Sequence, residues 1–67
     1  MLATRLGMTL KRLRTARDMT QVTLAKRAKV TQAYIAQFER GDYKNPGLAV
    51  LRRLAKALKV SLAELVE

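Results

Sequence analysis

Residues 20–41 read Thr20-Gln21-Val22-Thr23-Leu24-Ala25-Lys26-Arg27-Ala28-Lys29-Val30-Thr31-Gln32-Ala33-Tyr34-Ile35-Ala36-Gln37-Phe38-Glu39-Arg40-Gly41. A Thr-Gln pair opens each half. A Thr hydroxyl accepts well from the free N–H groups of a helix start, so Thr20 and Thr31 are N-cap candidates. The spacing predicts one helix over 21–28, with Leu24, Ala25 and Ala28 inward and Val22, Thr23, Lys26 and Arg27 outside. Ala28-Lys29-Val30-Thr31 makes a tight turn, and a second helix runs over 32–40 to Gly41, a natural left-handed terminator. Two short helices so joined, the second held rigidly across the first with one polar face free, have helix-turn-helix geometry.

The flanking sequence supplies a frame for this pair. Leu6, Leu10 and Leu13 form one stripe of a helix expected over about 3–17, with Lys11, Arg12 and Thr15 off it. Gly7 lies inside that helix, at an expected cost of ~1 kcal/mol against Ala. Gly41-Asp42-Tyr43-Lys44-Asn45-Pro46-Gly47 reads as a loop. Leu48, Leu51, Leu54, Ala55 and Leu58 then make the inward stripe of a fourth helix, with Arg52, Arg53 and Lys56 elsewhere. Ser61 and Glu64 match a capping box that opens a short fifth helix carrying Leu62, Leu65 and Val66. The expectation is a single all-α domain over residues 1–67, without repeats.

The 67 residues include no Cys and no His, which excludes disulfides and the common zinc sites and leaves aliphatic helix packing to supply the core. Fourteen Lys and Arg against five Asp and Glu give a net charge of +9, with a pI near 11.0. A charge of that size on so short a chain points to a polyanionic partner. No apolar run approaches the ~20 residues of a membrane span and no signal peptide is visible, so a cytoplasmic protein without a membrane role is expected. With no His or Cys and only scattered carboxylates there is no nucleophile–base pair or metal cluster to propose, and neither an enzyme nor a cofactor is expected.

At 100° per residue, Ile35 and Phe38 share one side of the helix over 32–40, while Gln32, Ala33, Ala36, Gln37 and Arg40 occupy the opposite arc. An ordinary solvated face would carry more charge. Ala lets a backbone approach a surface and can touch a thymine methyl, and Gln can bridge adenine N6 and N7. Double-stranded DNA, with this helix in the major groove, is therefore the expected partner. Glu39 falls beside the apolar side. An unpaired buried charge is costly, and Arg14, at the border of the first helix's stripe, is the candidate partner for a structural ion pair. The alternative is a solvated carboxylate at the stripe's edge.

On these residues the chain resembles the Cro and phage-repressor helix-turn-helix regulators, the XRE family, over roughly residues 6–65. The matching elements are Leu10…Leu13-Arg14, Thr20-Gln21…Leu24-Ala25, Val30-Thr31…Ile35…Phe38-Glu39…Gly41 and Pro46…Leu48…Leu51…Leu54-Ala55…Leu58…Val60-Ser61-Leu62. The resemblance implies a compact five-helix lambda-repressor-like DNA-binding domain acting as a transcriptional repressor, a homodimer on a palindromic operator. It implies base-edge contacts from Gln32, Ala33 and Gln37, with Tyr43 at the groove edge, and phosphate contacts from Thr20, Gln21, Arg40 and Lys44. Gln21 would also brace Gln32, and Arg14 would pair with Glu39 and reach a phosphate.

The dimer surface expected from the apolar residues is Ala57, Val60, Leu62 and Val66. Three departures stand out. Lys29 occupies the turn position where relatives commonly have Gly, and should be exposed in a strained left-handed conformation. Gly47 replaces a Ser or basic residue, and a separate C-terminal domain of the kind larger repressors carry is not expected after the fifth helix. An antitoxin-type module of the same fold, with a protein toxin as main partner, is the alternative. A ribosomal or RNA-binding role fits less well, because the A-form major groove is too narrow for a helix.

Overall fold

A computed structural model of the chain describes residues 2–43 and 45–66. Five helices follow one another: α1 (Leu2–Ala16), α2 (Gln21–Ala28), α3 (Gln32–Glu39), α4 (Leu48–Leu58) and α5 (Leu62–Val66). Helix α2 packs on α3 and α4, α1 packs on α3 and α5, and α4 meets α5. Each helix sends at least one fully buried side chain to the shared core: Leu10, Leu24, Ile35, Leu54 with Leu58, and Leu65. No helix among the described residues is long and apolar enough to cross a membrane.

The connections use one device repeatedly. The first, second and fourth helices are each followed by a left-handed residue, an apolar residue and a hydroxyl cap. These are Asp18-Met19-Thr20, Lys29-Val30-Thr31 and Lys59-Val60-Ser61, with φ of 55°, 60° and 58° at the first residue of each. The left-handed residue turns the chain so that the next N–H reaches a carbonyl five residues back: Met19 to Arg14 (3.2 Å), Val30 to Ala25 (2.9 Å) and Val60 to Ala55 (3.0 Å). The apolar residue then folds onto the core, and the hydroxyl starts the next helix. Thr20 Oγ1 accepts from the Thr23 N–H (3.0 Å) and Thr31 Oγ1 from the Tyr34 N–H (3.0 Å). Ser61 and Glu64 cap each other reciprocally, each at 3.1 Å. Gly41 ends α3 with φ 84°, and Asp42 N–H donates to the Gln37 carbonyl at 3.0 Å.

Leu48 differs from the stripe reading: it is 52% exposed, because it is the first residue of α4 and projects past the core. Val66, the last residue of α5, is exposed, and Met19, in a connection, is buried. Gly7 has a positive role. A Cβ built there would lie 2.5 Å from the Phe38 carbonyl oxygen and 2.7 Å from that of Glu39, so α1 crosses the end of α3 at a distance only glycine permits.

Candidate nucleic-acid interface

Helix α3 turns Ile35 and Phe38 into the core. On the opposite arc Gln32, Ala33 and Arg40 are exposed, while Ala36 and Gln37 are half-buried. A short, flat strip of amide and methyl groups is thereby presented on a helix whose back is anchored by two of the larger core side chains. The capped N-terminus at Thr31 holds Gln32 and Ala33 at the entry of that strip.

A polar knot fixes the other end of α3. Arg14 Nε donates to Glu39 Oε2 at 2.7 Å and Nη2 to Oε1 at 3.1 Å, a two-bond guanidinium–carboxylate pair with side chains only 11% and 5% exposed. Arg14 Nη1 donates to the Met19 carbonyl at 2.7 Å, and Gln21 Nε2 donates to Glu39 Oε1 at 3.1 Å. α1, the connection after it, the first residue of α2 and the last of α3 therefore meet in one hydrogen-bonded cluster. Charge-assisted paired bonds of this kind restrict direction as well as distance. Every nitrogen of the guanidinium is engaged, so the structure directs Arg14 inward to Glu39 and Met19. Gln21 likewise turns its amide to Glu39, where the resemblance implied a brace to Gln32.

The loop after α3 folds back through an aromatic cluster. Tyr43 stacks on Tyr34 with ring centroids 4.5 Å apart and planes 20° apart, and both rings lie beside Phe38. The Tyr43 hydroxyl donates to Gln37 Oε1. The ring expected at the groove edge is thus packed against α3, with its polar tip on a residue of the outward arc. Burial pushes the Tyr34 phenol above its usual pKa, Tyr43 adds to the rise and Arg53 opposes it, so Tyr34 stays neutral near neutral pH. Arg40 caps the end of α3 and touches Asp42 at 3.2 Å in an exposed pair, an arrangement that holds a cation only weakly. Thr20 is exposed and occupied in capping α2. Lys44 lies outside the described residues.

Sequence reasoning missed the Tyr34–Tyr43–Gln37 chain. One signal was available: a lone aromatic in an otherwise polar loop, four residues after a helix that carries Tyr34 and Phe38 at i and i+4 spacing.

Comparison with known proteins agrees with this architecture. The Helix-turn-helix family model matches residues 10–65. Over 60 residues the chain is 38% identical to the immunity repressor protein of Bacillus phage phi105, which aligns with 90% of this chain and 41% of the relative. The chain therefore spans about two fifths of that repressor's length. The restriction-modification controller protein C.AhdI from Aeromonas hydrophila superposes with a TM-score of 0.90 at 35% identity, covering 94% of both chains. The clp gene regulator ClgR from C. glutamicum superposes with a TM-score of 0.89 at 28% identity, covering 97% of this chain and 83% of that one. With two capped helices across a tight turn, a part-buried ion pair behind them and a family match over most of its length, the chain belongs to the XRE-type helix-turn-helix family of DNA-binding regulators.

Proposed function

We propose that this protein is a sequence-specific transcriptional repressor that binds a palindromic operator as a dimer, with α3 in the major groove of each half-site. The observation that carries this reading is the outward strip of α3. Gln32, Ala33, Ala36 and Gln37 offer amide donors and acceptors flanked by methyl groups, on a helix held at both ends. Arg40, exposed at the end of the strip, is placed for a phosphate.

Size supports pairing. The Cα framework measures 26 × 23 × 21 Å, less than the ~34–36 Å between half-sites one helical turn apart. Such a spacing leaves room for a second copy on the same face of the duplex. Exposed Val66 and half-buried Leu62 on α5 supply apolar area for such a contact, whereas Ala57 and Val60 pack partly against the core. Selection of bound sites from random duplex DNA tests the proposal. Two inverted copies of one short motif, centred about 10–10.5 base pairs apart or a multiple of that, are expected. No enriched motif would refute sequence-specific binding, and a single unrepeated motif would refute the dimer.

A further inference from the structure

We propose that Tyr43 is a positioning residue that fixes which way round the Gln37 amide faces, and so sets how sharply Gln37 discriminates its base pair; this rests on α3 reading DNA as proposed above. A glutamine amide is two-faced, with an acceptor oxygen at one end and a donor NH2 at the other. Its terminal torsion is broad and roughly two-fold, so a free Gln can present either order to a groove. Adenine offers an acceptor beside a donor, while guanine offers two acceptors. Only one order of the amide matches adenine at both groups, whereas on guanine either order leaves the amide oxygen facing an acceptor.

Gln37 is not free. Its Oε1 accepts the Tyr43 hydroxyl proton, which favours the order that leaves the two Nε2 protons and the second oxygen lone pair for the groove. Turned over, Nε2 would have to donate to the phenol oxygen, a weaker acceptor than a carbonyl, and the Tyr43 proton would have to turn to another partner. The ring cannot move away to accommodate the change, because it is stacked on Tyr34 at 4.5 Å and sits 6.5 Å from the Phe38 ring. Tyr34 and Phe38 belong to α3 itself, so the helix that carries Gln37 also carries the brace. Tyr43 thereby acts on the base pair through Gln37 rather than by touching it.

Site selection with the wild type, Tyr43→Phe, Gln37→Ala and the double variant tests this. The Gln37 position is the one whose preference disappears in Gln37→Ala. Phenylalanine keeps the stack and removes only the hydroxyl, so the fold should persist; thermal melting and affinity for random duplex DNA check that both stay close to wild type. In Tyr43→Phe, the preference at the Gln37 position is expected to fall about two- to threefold, with the other positions unchanged. In the Gln37→Ala background, removing the hydroxyl should change nothing further. An unchanged motif in Tyr43→Phe overturns the inference while leaving the repressor reading intact. So does a motif change that persists without Gln37, since Tyr43 would then touch the base itself. Failure of the wild type to select any motif removes the underlying reading and this inference together.

Discussion

Gly7 and Gln37 show how single positions carry more than their type suggests. By helix propensity alone, Gly7→Ala should stabilise α1 by ~1 kcal/mol. The added carbon instead meets two backbone carbonyl oxygens of α3, neither of which can swing away as a side chain would. Overpacking of this kind costs about 1–3 kcal/mol, so a lower melting temperature is expected, and a rise would show that the crossing of α1 and α3 is looser than described. On the opposite face of α3, Gln37→Ala is expected to lose about 1–3 kcal/mol on the selected site and little on random DNA. Arg40→Ala should weaken both alike and lower the salt slope by about one unit per subunit. Binding titrations on the two DNAs separate these outcomes, and the reverse pattern would mean that α3 docks in another orientation.

Between elements, the strongest coupling runs through Arg14 and Glu39. Removing one member of this part-buried pair strands the other's charge, at a cost below the ~3–5 kcal/mol of a fully buried pair. Melting of Arg14→Ala, Glu39→Ala and the double variant should show losses well short of additive, and simple addition would disprove the coupling. The helix connections make a second element-scale prediction. Lys29 and Lys59 sit at left-handed φ values that cost a non-glycine residue about 1–2 kcal/mol. They also line, with Arg27, Arg53 and Lys56, a cleft of about 410 Å³ at the ends of α2 and α4. Lys29→Gly is expected to raise stability by a few tenths to about 1 kcal/mol, the unfolded chain's greater freedom offsetting part of the relieved strain. For a domain of this size each kcal/mol moves the melting temperature by about 4–8 °C, so calorimetry resolves the effect. A lowered melting temperature would contradict the strain argument.

For the molecule as a whole, charge is the dominant quantity. A +9 chain offsets few of its cations internally: the ion pairs among the described residues are Arg14–Glu39 and Arg40–Asp42. The remaining positive field favours any duplex, and affinity should fall steeply with salt, at a log–log slope of roughly −0.9 for each phosphate neutralised. Fluorescence titrations from low to physiological salt measure this slope directly. A flat response would remove DNA as the principal partner. With Arg14 directed inward, the slope is expected to come from exposed cations such as Arg40.

The helices, their caps and the outward strip of α3 were legible in the sequence because each rests on interactions within a few residues. Thr20, Thr31 and Ser61 reach N–H groups three residues on, and the 3.6-residue period sorts Ile35 and Phe38 from Gln32 and Gln37 without reference to the rest of the chain. Arg14 was legible as the candidate partner of Glu39 from its place at the border of the first helix's stripe, but the bond from Gln21 to Glu39, the partner of Gln37 and the need for glycine at position 7 depend on contacts between distant segments. Arg14 and Glu39 are 25 residues apart, and Gln21 joins them from a third helix. Periodicity places a side chain on a face, but only the packing of α1 across α3 settles which backbone leaves no room for a Cβ. Only the fold of the 41–47 loop onto Tyr34 settles which ring orients which amide.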